Sequence, residues 1–221
     1  MLVKVRLNVI SSLDSINSTI GVELLSQSLL PAIVDLAQDH KWRVRLAIID
    51  HIPMLAKQLG IGFFNEKLIS LCMSWLSDDV YSIRKASADA FKKLTDLFGN
   101  DWCRDHIIPK LEKMQTNTSF AQRLTALHVV QVIFPSLSPA VLESSIVPLI
   151  VAMASDSVPN IKFTVAKTLH LVIPHLRKNN LSLSACSAAL VKLSQDTDRD
   201  VKFYANKVCI SIIFVLILLF C

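Results

Sequence analysis

The sequence has few of the residues that mark β-hairpins, metal sites or secreted proteins. Glycine occurs 4 times in 221 residues, too rarely for the glycine-rich turns of hairpin-based β folds. The 5 cysteines are scattered and include no C-x-x-C pair, so we expect reduced, mostly buried thiols. The first ten residues contain no apolar stretch long enough for a secretory signal. These absences favour an all-α protein of the cytoplasm, with a nuclear location also compatible.

The motifs of the common enzyme classes are missing as well. The sequence contains no G-x-S-x-G, no Walker-type glycine loop and no H-E-x-x-H. Cys103 and His106 lie three residues apart, but no second pair follows, so we assign no metal ligand. The formal net charge of +5 is not gathered into a basic run, and we therefore expect no nucleic-acid partner. The sequence predicts a protein without catalytic residues, metal or cofactor.

A repeat of 39 to 40 residues runs through the whole chain. Its clearest marker is a series of evenly spaced basic residues, here called the basic ladder: Arg6, Arg45, Arg84, Arg123, Lys162 and Lys202. Six positions before each of the last five comes an acidic residue or its amide, here called the acidic column: Asp39, Asp78, Asn117, Asp156 and Asp196. A period of this length is typical of solenoid proteins.

The pattern within each repeat predicts two helices. Apolar residues 3, 7, 10 and 14 positions after the basic ladder lie on one helical face and mark the second helix, B. A second apolar pattern marks helix A upstream, in the segments 29–37, 68–76, 107–114, 146–153 and 187–193. Gly21, Gly60 and Gly99 follow helix B, where a positive φ closes a helix. Prolines early in helix A are expected to bend it without ending it: Pro31, Pro109 and Pro148.

An isolated helix pair cannot bury both of its apolar faces, so neighbouring pairs are expected to stack into a solenoid. The predicted repeats are 1–22 (helix B alone), 23–61, 62–100, 101–139, 140–179 and 180–221. In such a stack the acidic column accepts hydrogen bonds at the start of helix B, and each basic side chain reaches the acidic residue of the next repeat. We expect this structural role rather than phosphate binding.

Three segments of the sequence carry a resemblance to a known family. They are LLSQSLLPAIVDLAQDHKWRVRLAIIDHIPMLAKQLGIGFF (24–64), LCMSWLSDDVYSIRKA (71–86) and VPNIKFTVAKTLHLVIP (158–174), with a matching last repeat at 196–205. The sequence resembles HEAT repeats and, more narrowly, the scaffold (A) subunits of protein phosphatase 2A (PP2A). The resemblance implies a right-handed superhelical solenoid without catalytic activity. It also implies that the turns between helices A and B grip the phosphatase catalytic subunit. Regulatory B-type subunits bind earlier repeats of that family, so we expect this chain not to hold them.

Carried over by position, the expected catalytic-subunit contacts are Trp42, Arg43, Tyr81, Phe120, Val158, Asn160, Arg199 and Asp200. Exposed aromatic rings beside arginine are typical interface hot spots. The alternative for Trp42, Tyr81 and Phe120 is that each ring packs on its neighbouring repeat. Two alternatives also stay open for the chain as a whole. It could be another HEAT platform, such as a nuclear transport receptor, or a truncated decoy that binds the catalytic subunit without recruiting regulatory subunits.

Both ends of the chain are unusual for a solenoid. The chain begins at a helix B, which suggests a fragment or a shortened scaffold. It ends in an apolar tail, 208–221, which is broken only by Ser211. Fourteen helical residues span about 21 Å against a hydrocarbon core of about 30 Å, so a membrane crossing is not expected. We interpret the tail as the last helix of the array without the polar outer face of a cap.

Overall fold

The structure, a computed structural model, describes residues 30–220, with side chains described for residues 30–210. Within that range every regular element is a helix, as the sequence predicts. The predicted partial repeat at 1–22, with Arg6 and Gly21, lies outside the described residues. The chain divides into two compact units, Met1–Gly99 and Asn100–Cys221, and each is described separately.

The first unit consists of stacked helix pairs. Its described helices are α1 (Leu30–Ala37), α2 (Trp42–Lys67), α3 (Ile69–Trp75) and α4 (Tyr81–Phe98). Helix α1 packs on α2, and α2 packs along α4, which places two B helices side by side. The Trp75 indole Nε1–H donates a buried hydrogen bond of 3.0 Å to the carbonyl of Ala37, joining α3 to the end of α1. Successive repeats are therefore joined through both helix layers.

Two glycines close the B helices of this unit. Gly60 has φ +79° and breaks α2 at that point, so the rest of α2 starts the A helix of the next repeat. Gly99 has φ +91° and follows α4 directly. Side chains other than hydrogen are strained at these backbone angles, which explains glycine there. The predicted helix-closing role of Gly60 and Gly99 is confirmed.

Gly60 and Gly62 offer a matched test of this backbone requirement. Neither has any atom within 4 Å of an added Cβ, so a change at either position creates no clash. We expect Gly60→Ala to lower the free energy of unfolding by about 1 to 3 kcal/mol because of its positive φ. Gly62→Ala lies in ordinary helix and should raise it by about 0.5 to 1 kcal/mol. Chemical denaturation followed by circular dichroism measures both; equal effects would contradict the assignment.

The helices of the second unit are more often interrupted than those of the first. They are α5 (Asn100–Trp102), α6 (Ile108–Gln115), α7 (Phe120–Ile133), α8 (Pro139–Val141), α9 (Val147–Ala152), α10 (Pro159–Lys178), α11 (Ser184–Ser194) and α12 (Arg199–Phe220). The B helices α7, α10 and α12 pack side by side, and α9 and α11 pack on one another in the A layer. The Gln131 side-chain amide donates to the Thr168 hydroxyl at 2.8 Å, linking α7 to α10. This arrangement is the two-layer stack that the period predicts.

The A helices of this unit are irregular where the sequence predicts a bend. Wide π-helical turns, Cys103–Ile107 and Leu142–Ile146, lie directly before α6 and α9. Pro109 and Pro148 are the second residues of those two helices. Proline has no N–H to offer the carbonyl of the preceding turn, and a wider turn accommodates that loss. The chain stays helical on both sides, so the prediction that Pro109 and Pro148 do not end helix A is confirmed.

One predicted helix position is wrong. Leu137 stands 14 residues after Arg123 and was expected at the end of a helix B, but α7 ends at Ile133. A short 3₁₀ turn, Phe134–Ser136, follows, and Leu137 itself is extended, with φ −93° and ψ +145°. The break falls at Pro135, whose ring removes one backbone donor from the helix, whereas α2 and α10 continue past Pro53 and Pro174. Leu137 is nevertheless 5% exposed and stays in the core.

The core is formed by the predicted apolar columns, and it contains the cysteines. Cys72, Cys103 and Cys186 are buried and Cys209 is half-buried, all as free thiols. Burial raises the pKa of the Cys186 thiol to about 11, which keeps it protonated and unreactive. Cys221 lies outside the described residues. Helix α12 continues into the apolar tail as far as Phe220. No helix in the described part of the chain is both long and apolar enough to cross a membrane.

Candidate partner-binding interface

The acidic column shapes every described turn between helices A and B. In each turn the side-chain Oδ1 accepts a hydrogen bond of 2.8 to 2.9 Å from the backbone N–H two residues later. The acceptor and donor pairs are Asp39 and Lys41, Asp78 and Val80, Asn117 and Ser119, Asp156 and Val158, and Asp196 and Asp198. This Asx turn satisfies a backbone donor just before helix B begins. Asn117 makes the same bond as the aspartates, so that turn keeps its form without the charge.

The basic ladder links one turn to the next in the first unit. The Arg45 guanidinium donates from Nη2 to Asp78 Oδ1 at 2.9 Å, and the two side chains are 15% and 12% exposed. Its Nη1 donates at 2.7 Å to the carbonyl of Asp39 in its own turn. Arg84 also binds its own turn, donating to the carbonyls of Asp78 and Asp79 at 2.7 and 3.0 Å. Each arginine thus holds its own turn, and Arg45 also holds the following turn.

The same links recur in the second unit. Arg123 donates twice to Asp156, from Nε at 2.6 Å and from Nη2 at 2.9 Å, and the side chains are 12% and 9% exposed. Lys162 donates from Nζ to Asp196 at 2.5 Å. Lys202, the last basic residue of the ladder, is exposed. The predicted link to the next repeat is thus confirmed for Arg45, Arg123 and Lys162.

The ladder changes the acidity of two aspartates. For Asp156, burial alone raises the pKa, but the hydrogen bonds from Arg123 and from the Val158 N–H outweigh it and lower the pKa below its ordinary 3.8. For Asp196, burial also raises the pKa and is outweighed by Lys162 and by two backbone N–H groups. Both aspartates are therefore negatively charged in the folded protein at neutral pH.

These shifts predict how stability depends on pH. A carboxyl whose pKa is lower folded than unfolded stabilises the fold fully above its unfolded pKa and loses that effect as pH falls through the folded value. We expect the stability advantage of the wild type over Asp156→Asn to be constant near neutral pH and to shrink below about pH 3.8. Urea unfolding at a series of pH values measures it. A constant advantage down to the most acidic pH would contradict the role of the ion pair.

In the first unit, the expected partner contacts lie where helices B begin. Trp42 is the first residue of α2 and is half-buried, and the exposed Arg43 places its Cζ 4.5 Å from the centre of the indole ring. Tyr81 is the first residue of α4 and is 59% exposed. The Arg84 Cζ lies 5.7 Å from its ring centre. Two aromatic rings, each beside an arginine, thus recur at the same place in successive turns.

The expected contacts of the second unit occupy the same positions. Phe120 opens α7 and is 52% exposed, Val158 is half-buried just before α10, and Asn160 is exposed in its first turn. Arg199 and Asp200 open α12, with side chains 97% and 80% exposed. More than half of the surface of Tyr81 and of Phe120 is accessible to solvent. This disfavours the alternative that these two rings are buried against a neighbouring repeat.

A groove near the last two turns was not anticipated from the sequence. It has a volume of about 330 Å³ and is lined by Pro159, Asn160, Phe163, Asp198 and Asp200. Phe163 is held in place by the Tyr204 ring, edge-on at 5.2 Å, and by Lys167 Nζ at 4.4 Å. The sequence could have pointed to Asp198, because it is the only acidic residue at a position that Lys41, Val80, Ser119 and Val158 occupy in the other described turns. No sequence pattern pointed to Phe163, because its location depends on how α10 and α12 pack.

The described residues hold no group of three or more His, Cys, Asp or Glu side chains arranged to bind a metal ion. Cys103 is buried, and the His106 ring lies 5.8 Å from that of Trp102, centre to centre. The His106 ring therefore packs near the ring of Trp102, the residue that precedes Cys103.

Comparison with known proteins supports the resemblance. No model of a protein family matches the sequence. The regulatory (A) subunit of protein phosphatase PP2A from Saccharomyces cerevisiae is 47% identical over 123 residues, which are 52% of this chain and 19% of that protein. The matched part of the chain is homologous to this PP2A subunit. The protein of the same name in Schizosaccharomyces pombe is 46% identical over 70 residues, or 32% of this chain and 12% of that protein. The resemblance seen in the sequence is confirmed, and the chain spans about a fifth of the first relative's length.

Solved structures support the fold class alone. The MAST/Orbit N-terminal domain superposes with a TM-score of 0.59 at 16% identity, covering 81% of both chains. A chain of the Pds5-Scc1 complex superposes with a TM-score of 0.63 at 13% identity, covering 85% of this chain and 29% of that one. The predicted all-α solenoid of HEAT type is confirmed, and the homology to a PP2A regulatory subunit supports a scaffold role.

Proposed function

We propose that this chain is a non-catalytic PP2A scaffold segment that binds the phosphatase catalytic subunit through its turns between helices A and B. The observation that carries the proposal is the 47% identity to the regulatory (A) subunit of PP2A. The exposed side chains at those turns fit the role, because a partner can reach them without any change in the core. The proposal does not extend to B-type regulatory subunits, and it locates the protein in the cytoplasm, with the nucleus also compatible.

The turns suit this task for a physical reason. The side chains of the basic ladder are 15% exposed or less at Arg45, Arg123 and Lys162, and their charges are used within the fold. Their bonds fix the backbone of each turn, so the neighbouring aromatic and polar residues are held before a partner arrives. A preorganised surface loses less conformational entropy on binding. The turns therefore combine a rigid, internally bonded base with exposed contact residues.

Co-purification tests the proposal against the alternative platform. A tagged form of this chain, expressed in cells and isolated, should bring down stoichiometric amounts of the PP2A catalytic subunit. Recovery of transport cargo or Ran-like GTPases without any phosphatase catalytic subunit would contradict the proposal and favour a transport receptor. A tagged, unrelated HEAT-repeat protein of similar size serves as the control for non-specific capture.

A further inference from the structure

The B helices of the second unit carry almost no negative charge. Helices α7 and α10 contain no Asp or Glu, and α12 contains only Asp200, in its first turn. In the first unit the B helix α4 mixes both signs, and its Lys92 pairs with Asp96 at 2.8 Å. The lysines of α10 have no such partner within their own helix. Positive charge is therefore concentrated on the B layer of the second unit.

An apolar groove, here called the proline groove, opens in this layer between the end of α7 and the second half of α10. It has a volume of about 310 Å³ and is lined by Phe134, Pro135, Leu171, Pro174, His175 and Lys178. The His175 ring stands edge-on to Phe134, with 5.6 Å between the ring centres, and so holds one wall in place. Leu171 is 47% exposed. The groove is therefore preformed and can take an apolar side chain.

Two lysines stand on the α10 side of the groove, one at each end of its apolar part. Lys167, Leu171, Pro174 and Lys178 follow one another at steps of four, three and four residues, so they share one exposed face of the helix. Lys178 is exposed and forms no ion pair within the described part of the chain. The Lys167 Nζ lies 4.4 Å from the centre of the Phe163 ring, a contact that leaves its charge in place and its other hydrogens able to donate. Both ammonium groups can therefore pair with a carboxylate.

The acidic residues of the last turn lie towards the Lys167 end of this face. Asp198 and Asp200 line the other groove together with Phe163, one helical turn before Lys167, and neither is ion-paired to Lys167 in the described structure. Lys178 lies three turns further along α10. These carboxylates weaken the positive potential at Lys167 more than at Lys178, because salt limits their reach to about 10 Å. Lys178 is therefore the stronger of the two anion contacts.

At the Lys178 end, one carboxylate comes from outside the B layer. The Glu143 Oε1 accepts from the Ser182 N–H, four residues after Lys178, at 3.4 Å, and Glu143 forms no ion pair with any described residue. Glu143 does not line the proline groove. On the neighbouring helix α12, the exposed Lys207 adds positive charge to the same layer. The side chains that line the proline groove are therefore apolar or basic.

We propose that the proline groove binds an extended, acidic segment of a partner protein. An apolar side chain of that segment packs against Leu171 and Pro174, and carboxylates on either side of it pair with Lys167 and Lys178. The two lysines are eleven residues apart, which is about 16 Å along a helix. An extended chain covers that distance in about five residues. The partner segment therefore carries acidic residues about five positions apart, with an apolar residue between them.

This surface is distinct from the turns that the proposed function assigns to the phosphatase catalytic subunit. Leu171 lies twelve residues after Pro159, the first residue of α10, and thus about 18 Å along the helix from the turn. The inference therefore goes beyond the proposed function and does not depend on it. It gives the chain a second binding surface, on its B layer, for a partner recognised by its negative charge.

The test measures binding of a fluorescein-labelled peptide, Asp-Asp-Ser-Leu-Phe-Ser-Asp-Asp, to the full chain by fluorescence anisotropy. We expect saturable binding, and binding about tenfold weaker for the peptide with Asn in place of every Asp, because both ion pairs lose their charge. Lys178→Glu should weaken binding of the acidic peptide about fivefold or more, since attraction becomes repulsion. Its matched control, Lys113→Glu, makes the same charge change at an exposed lysine of α6 and should bind as the wild type does.

A second variant tests the apolar part of the groove. Leu171→Ser should weaken binding of the acidic peptide about threefold or more, because it removes apolar surface from the contact. Leu171 is 47% exposed, so circular dichroism should show the helicity of the wild type. Wild-type affinity in this variant would contradict the apolar contact that the inference assigns to the groove.

The outcomes separate this inference from the proposed function. Equal binding of the acidic and neutral peptides, or equal affinities of the Lys178→Glu and Lys113→Glu variants, would overturn the inference. Equally tight binding of single-stranded oligothymidylate that is lost in Lys178→Glu would also overturn it, because the site would then be one for polyanions. Saturating peptide should leave binding of the PP2A catalytic subunit unchanged, and displacement would contradict two separate surfaces. A wild-type chain that binds the peptide but not the catalytic subunit would refute the proposed function and leave this inference standing.

Discussion

Replacing Trp42 and Arg43 together by alanine is expected to weaken binding of the PP2A catalytic subunit about 100-fold or more. Tryptophan and arginine at the centre of an interface each commonly contribute about 2 kcal/mol or more, and about 1.4 kcal/mol corresponds to a tenfold change. In this structure the two side chains form one unit, with the guanidinium carbon 4.5 Å from the indole centre. The two side chains therefore present one continuous surface to a partner.

The same change should leave the fold intact. Arg43 is exposed and Trp42 is half-buried at the first position of α2, ahead of the core residues Val44 and Ile48. Isothermal titration with the purified catalytic subunit measures affinity, and circular dichroism measures helicity. The matched control is Lys93→Ala with Leu97→Ala, an exposed cation and an exposed apolar residue near the other end of α4. That control should bind normally. If the wild type and the Trp42 and Arg43 variant bound with equal affinity, the two residues would not be partner contacts, and their role would be structural.

Replacing Asp156 by alanine is expected to lower the free energy of unfolding by about 3 kcal/mol. It removes two short bonds from Arg123 and the bond from the Val158 N–H that forms the turn. Bonds to charged groups contribute about 1.5 to 3 kcal/mol each, and a lost turn or cap bond costs about 1 kcal/mol. The arginine left behind is 12% exposed, so water replaces its partner only in part.

Two further variants divide this loss into its parts. Asp156→Asn keeps an oxygen for the Val158 N–H but removes the charge, so its loss should be clearly smaller than that of alanine. Asp105→Ala is the matched control in the same unit, since Asp105 pairs with Arg104 in a bridge whose side chains are 58% and 50% exposed. Its effect should be within about 0.5 kcal/mol. Urea denaturation of the three variants measures the series. Equal losses at Asp105 and Asp156 would contradict the special role of the ladder.

The sequence predicted most of the fold because the repeat encodes it redundantly. Arg45 and Asp78 are one turn apart in the stack, and their spacing of 33 residues follows from the period alone. Gly60 and Gly99 marked the ends of B helices for the same reason. The end of α7 at Ile133 could not be placed this way, because Leu137 keeps its buried position in the column although the helix has already ended. Periodicity shows what the repeats share and not where one repeat departs from the others.

The candidate interface was predictable only where residues recur. Trp42, Tyr81 and Phe120 stand at one position in three turns, so their shared place was visible in the sequence. The groove at the last two turns was not visible, because it depends on Phe163 meeting Tyr204 across α10 and α12. Contacts between side chains of neighbouring helices follow from packing geometry rather than from spacing. The groove therefore emerged only from the structure.

The most direct test of the central claim is a titration of this chain, purified on its own, with purified PP2A catalytic subunit. The account predicts a saturable one-to-one complex whose affinity falls about 100-fold or more in the Trp42→Ala and Arg43→Ala variant. It also predicts that the Lys93→Ala and Leu97→Ala control binds as the wild type does. A folded, helical chain that at micromolar concentration forms no complex with the catalytic subunit would contradict the claim that its turns bind this partner.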